Sequence, residues 1–178
     1  MVRQDLLQAV VTLTGLTLEA SEKITDDLIA FNPKSKNTKL TKMDEFFNSA
    51  DNRGFNAYAF HKNLQDYYRI DKKQASIIAN SFRARAASIR SLLIAKSANA
   101  SLCQWTFRST CISVNRTAHQ AVNGRQFEIS EGIIFDYGKS FPGIEFGCNC
   151  DMTMIIPELT KENKPLISRM FDKFFGKK

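Results

Sequence analysis

Residues 71–100, DKKQASIIANSFRARAASIRSLLIAKSANA, run for thirty positions without a glycine or proline. Within them Ala75, Ile78, Ala79, Phe82, Ala86, Ile89, Leu92, Leu93 and Ala95 recur largely at three- and four-residue steps. That spacing lines up one stripe of an α-helix, and the lack of breakers lets the helix continue to about Ala98, where it is expected to fray. A single apolar stripe must be covered, so the rest of the chain has to supply partners for it. Off the stripe stand Arg83, Arg85, Arg90 and Lys96. They read as a solvated face, with Arg83, Arg85 and Arg90 the candidate contacts to phosphate or an acidic partner.

The covering elements lie upstream. Leu6, Leu7, Val10, Val11 and Leu13 begin an apolar face that Leu18, Ile24, Leu28 and Ile29 resume after Thr14-Gly15, which predicts two short helices. Thr41 can cap a further short helix carrying Met43, Phe46 and Phe47, and residues 56–68 place Tyr58, Phe60, Leu64 and Tyr67 at roughly helical spacing. Between them the lysines of NPKSKNTKLTK read as a solvated linker.

Near Asn99 the texture changes. Cys103, Trp105 and Phe107 alternate with polar residues as in a half-buried strand, and Gly124, Gly132, Gly138, Gly143 and Gly147 punctuate the segment between that strand and Cys148. Asn123-Gly124 suits a tight turn with positive φ, and residues 132–136 and 151–156 are two further strand candidates. Residues 164–175 predict a closing helix with Leu166, Ile167, Met170, Phe171, Phe174 and Phe175 on its apolar face. The expected fold class is α+β: a helical N-terminal half, residues 1–98, followed by a small mixed α/β module with a C-terminal helix, residues 99–178.

At 178 residues the chain holds one ordinary domain, or a helical arm plus a small domain with its own core. No apolar run approaches the ~18 residues that span a bilayer, and the N-terminus lacks the continuous apolar core of a secretory signal, so no membrane partner and synthesis in a cytoplasm are expected. Four cysteines are then expected as thiols. A net charge of +7 suits a negatively charged partner, although Lys34, Lys36, Lys39, Lys42, Lys173, Lys177 and Lys178 are scattered in a linker and a tail.

His119, Cys148 and Cys150 are potential soft-metal ligands, with Cys111 or Cys103 as a fourth. Zinc would staple a module whose core is thin. Zinc knuckles, however, pair cysteines as CxxC, whereas on a strand Cys148 and Cys150 fall on one face with nothing to converge them. The spacing therefore favours buried thiols, a hydrogen-bonded histidine and no cofactor, with zinc as the metal if one is held. An enzyme would pair Cys148 or Cys150 with His119 and with Asp136 or Asp151 as orienting group. A nuclease would use His119 with Arg116, Arg125 and Glu128. With one suitable histidine, catalysis is the lesser expectation; a basic DNA-binding accessory role is another alternative.

Taken in order, Trp105, then Arg116-Thr-Ala-His119, Asn123-Gly124 and Phe127, then Phe141-Pro142-Gly143, then Cys148-Asn-Cys150 resemble the C-terminal module of the phage Mu F-like head morphogenesis, or minor capsid, proteins. The preceding RARAASIRSLLIAKSANA is similar to the helix that leads into that module, so the resemblance covers roughly residues 75–157. Locally the chain departs from the family: no Asp precedes Arg116 and His119, Asn149 stands where Arg is expected, and Gly147 precedes the first cysteine of the pair. The resemblance implies a structural virion protein of the capsid near the portal. Its implied partners are the portal and other head proteins, and packaged DNA, and its role is in head assembly or DNA packaging and delivery.

Overall fold

A computed structural model describes residues 3–30 and 57–155. Its order is α1 (Arg3–Thr14), α2 (Leu18–Ala30), α3 (Ala57–Tyr68), α4 (Lys72–Ser97), β1 (Leu102–Thr106), α5 (Arg116–Ala121), β2 (Gln126–Glu128), β3 (Ile133–Phe135), β4 (Gly138–Ser140) and β5 (Asp151–Ile155). The fold is α+β with a helical N-terminal half. The expected helices around Thr41 and over 164–175 lie outside the described residues.

Local chemistry sets the helix ends. Gly15, at φ +65°, ends α1, and its N–H reaches Val11 O at 2.9 Å. Asp71 caps α4 reciprocally: its carboxylate accepts from Gln74 N at 2.8 Å while the Gln74 side chain accepts from Asp71 N at 3.0 Å. The Gln74 amide then donates to Thr14 O at 3.0 Å, so one residue caps α4 and ties it to the end of α1. At the far end Asn99 adopts φ +52° and Ala100 N–H bonds back to Ala95 O at 3.0 Å, a Schellman-type stop.

The stripe of α4 is buried where expected at Ala75, Ile78, Ala79, Phe82, Ala86 and Ala95, while Ile89, Leu92 and Leu93 are only half-buried. Its first part packs with Leu6, Val10, Ile24, Leu28, Leu64 and Tyr68 into a helical core. Leu18, Ile29 and Tyr67, expected on buried faces, are instead exposed, and Tyr68 takes the inward position next to Tyr67. Tyr68 can do so because its hydroxyl donates to Asp27 Oδ2 at 2.7 Å.

The module's three-stranded antiparallel sheet has the order β2-β1-β5, with Cys103 opposite Phe127 and Trp105 opposite Met152. A β3-β4 hairpin lies beside it. Trp105, fully buried, packs against Phe127, Phe135 and the His119 ring, at centroid distances of 6.5, 5.6 and 5.1 Å. Cys103, Cys111, Cys148, Cys150, Ile129 and Ile133 complete this second core, with Phe141 packed on its side. The Asn123-Gly124 pair is a turn as expected, Gly124 having φ +81°, and it joins α5 to β2.

Candidate metal centre

Three segments converge on one point. Cys111 ends a turn after β1, its N–H bonded to Arg108 O at 2.9 Å. Arg116 holds that turn: its guanidinium donates to Ser109 O at 2.7 Å and to Cys111 O, and stacks 5.1 Å above the Phe107 ring. His119 comes one turn later on α5, inside the module. Cys148 and Cys150 come from the stretch before β5, which begins only at Asp151. The strand geometry expected for the Cys-x-Cys pair is therefore absent, and with it the reason for the two thiols not to converge.

The ligand atoms of Cys111, His119, Cys148 and Cys150 all lie within 4.8 Å of one another, and all four residues are buried. The buried Cys3His cluster is of a kind that can hold a metal ion such as zinc. Cys111 supplies the fourth donor; Cys103, the alternative, stays in the core on β1. The Cys111 Sγ to His119 Nδ1 distance is 3.6 Å. A tetrahedral zinc with ordinary Zn–S and Zn–N bonds has S···N edges of about 3.6 Å. Four protein donors leave no open coordination position, the arrangement of structural rather than catalytic zinc sites.

The other face of the imidazole is held as well. His119 Nε2 lies 3.0 Å from Glu145 Oε1 and 3.0 Å from the Tyr137 hydroxyl. Glu145, itself buried, accepts from Ser113 Oγ at 3.2 Å and Asn115 Nδ2 at 2.9 Å through its second oxygen. A carboxylate on Nε2–H leaves the Nδ1 lone pair for a metal, the usual relation between a ligating histidine and its outer partner. A cleft of about 370 Å³ between α1 and the module reaches the outer side of this pair at Asn115, Tyr137 and Glu145.

The electrostatics set a thiolate beside an imidazole that holds its proton, and a metal ion on this donor set would have to displace that proton. Cys148, Cys150 and His119 together hold the Cys111 thiol well below its usual range, favouring the thiolate that binds metal. Burial works against a charged His119, but Cys111, Cys150 and Glu145 outweigh it and push it up to about 11. Burial likewise opposes ionised Glu145, and His119 and Asn115 overcome it, bringing it down to about 2. Cys148 goes the other way, raised by Cys111, Cys150 and burial, because several anionic sulfurs cannot share a buried site without a compensating charge.

Cys111, His119 and Glu145 also have the order of a nucleophile, base and orienting group. Cys111 and His119 are both 0% exposed, so no substrate reaches them as the fold stands. Of the expected enzyme constellations, the thiols of Cys148 and Cys150 do meet His119, but the expected orienting aspartates do not join them. Glu145, rather than Asp136 or Asp151, orients His119, and Asp151 pairs instead with Arg108 at 2.7 Å. For the nuclease reading, Arg125 and Glu128 lie exposed while His119 is fully buried and Arg116 is committed to backbone carbonyls.

Of the three cations expected to face outward, Arg83 and Arg90 are not buried, but Arg85 turns inward and donates to Ile144 O at 3.0 Å. Burial lowers its affinity for the proton. Arg85 thus belongs to the packing between α4 and the module, and its guanidinium does not face outward to meet phosphate or an acidic partner.

Glu145 is the functional residue that sequence reasoning missed, and its only sequence signal is a lone carboxylate in an otherwise apolar FPGIEFGC. No helix among the described residues is long and apolar enough to cross a membrane. Comparison with family models, with curated proteins and with solved structures finds no match to this chain.

Proposed function

We propose that this chain is a structural protein of a phage head, a minor capsid component beside the portal, whose module is stapled by one zinc ion on Cys111, His119, Cys148 and Cys150. The single observation behind the staple is the closed cluster of four donors within 4.8 Å, fully surrounded by protein. A module with only short strands gains its stability from such a crosslink, as small domains with thin cores do.

The head role rests on the order of Trp105, Arg116, His119, Asn123-Gly124, Phe141-Pro142-Gly143 and the Cys-x-Cys pair, which resembles the Mu F-like module. Most of these residues belong to the folding of the module: the Trp105 core, the Gly124 and Gly143 turns at φ +81° and +76°, the Arg116 clamp and the metal donors. A motif made of folding residues suits an assembly part better than an enzyme. The net charge of +7 suits packaged DNA or an acidic portal surface as a neighbour.

Two measurements test the two halves of the proposal. Mass-spectrometric quantification in proheads, filled heads and emptied heads should give a fixed low ratio to portal, and absence from all three would contradict the head role. Chelation of the purified protein should lower its melting temperature, and an unchanged melt would contradict the staple.

A further inference from the structure

The 141–148 loop connects three parts of the molecule through three side chains within the four residues from Glu145 to Cys148. Glu145 holds His119 at 3.0 Å, and Cys148 is a donor of the metal cluster. Between them Phe146, only 2% exposed, packs not in the module's core but in the helical core with Leu6, Val10, Ile24 and Phe82.

The loop backbone is bonded into the helices as closely as its side chains. Gly147 N–H donates to Ser81 Oγ on α4 at 3.0 Å, and Gly147 O accepts from Ile112 N–H, next to Cys111, at 2.8 Å. Ile144 O accepts from the half-buried Arg85 guanidinium of α4 at 3.0 Å. At Gly143 a Cβ would stand 2.9 Å from Ala84 O, and at Gly147 one would stand 2.7 Å from Leu13 Cδ1 of α1. The loop thus meets α4 and α1 at van der Waals distance with its backbone bare. Its internal fold depends on the donor sulfur: Gly143 N–H donates to Cys148 Sγ at 3.3 Å, and Cys148 N–H bonds to Glu145 O at 3.0 Å.

We infer that the metal centre is a latch between the two cores: metal on Cys111, His119, Cys148 and Cys150 holds the 141–148 loop in the one shape that receives Phe146, Ser81 and Arg85, and loss of metal releases the helical half. The inference rests on the zinc reading and adds to it a consequence at a distance. Cys148 and Phe146 are too close in the chain for one to lose its fixed position while the other keeps its own. Because coupling between two sites is reciprocal, the latch also works backwards: weakening the helical contacts must weaken metal binding.

The test uses the full chain. Zinc affinity is measured by competition with a chromophoric chelator for the parent, Phe146→Ala, Ser81→Ala and Tyr68→Phe. Hydrogen exchange is followed in the parent with zinc and after chelation. Phe146→Ala should lower zinc affinity by about tenfold, within the range of ordinary coupling, and Ser81→Ala by less. Tyr68→Phe, which removes the hydroxyl bond to Asp27 between α3 and α2 but leaves the apolar core filled, should leave the affinity within about twofold. Chelation should raise exchange in residues 81–86 of α4 together with the loop. If zinc is bound and removable but those α4 amides keep their protection, or Phe146→Ala binds zinc like the parent, the latch is overturned and the staple stands. A parent that takes up no zinc overturns both, and does so before any variant is made.

Discussion

Nε2 of His119 lies 3.0 Å from Oε1 of Glu145, with the two side chains 0% and 5% exposed. A buried imidazole held this way has one nitrogen committed to a carboxylate and one left for the three sulfurs, so Glu145 sets which atom of His119 faces the cluster. Glu145→Gln, which keeps the shape but lets a neutral amide face Nε2–H, should weaken zinc binding by about 10–100-fold. Competition with a chromophoric chelator measures this, and an affinity within about twofold of the parent would remove Glu145 from the centre.

Trp105 is the largest fully buried side chain and touches both the aromatic core and the His119 ring. Trp105→Ala should cost about 3–5 kcal/mol, the usual loss for a buried aromatic. A shift of the urea midpoint at unchanged slope reads that value. A variant that melts like the parent would mean that the core is centred elsewhere.

Two glycines with positive φ separate backbone strain from close approach. Gly15, at φ +65°, has no atom within 4 Å of an added Cβ, so Gly15→Ala should cost only the roughly 1–2 kcal/mol of the left-handed conformation. Gly143, at φ +76°, would put its Cβ 2.9 Å from the Ala84 carbonyl oxygen, a backbone atom that cannot swing aside. Gly143→Ala should therefore be clearly the more damaging in thermal melts, and equal losses would contradict the tight seam between loop and α4.

Arg83 and Arg85 lie two residues apart on α4 with opposite fates, one exposed and one donating to Ile144 O at 3.0 Å. Arg83→Ala should change stability by no more than about 0.5 kcal/mol, whereas Arg85→Ala leaves a half-buried carbonyl without its donor and should cost about 1 kcal/mol or more. Chemical denaturation of both variants checks the contrast, and similar values for the two would place Arg85 on the surface after all.

The long helix α4 and strand β1 were legible in the sequence because their burial follows a simple period: Ala75, Ile78, Ala79 and Phe82 in one, Cys103 and Trp105 in the other. Among the shorter elements, β3 and β5 fall within the strand candidates 132–136 and 151–156, whereas α5, β2 and β4 were not foreseen. Helix α5, six residues long, offers too few positions for a period, and β2 and β4, at three residues each, offer fewer still. In the buried Cys3His cluster, His119, Cys148, Cys150 and the option of Cys111 were readable as residue types. Their meeting was not, because convergence depends on Cys148 and Cys150 preceding β5 rather than lying in it. Glu145 was hidden for a different reason: a buried carboxylate is legible only from its donors, and Ser113, Asn115 and His119 lie 26–32 positions away in sequence.

The most direct test of the metal centre is the mass of the intact folded chain, purified without added metal, by native mass spectrometry against its denatured mass. One zinc per chain in the folded species, lost on unfolding and absent from Cys111→Ser and Cys148→Ser, is the predicted result. A folded parent at the bare polypeptide mass would contradict the metal centre and everything built on it.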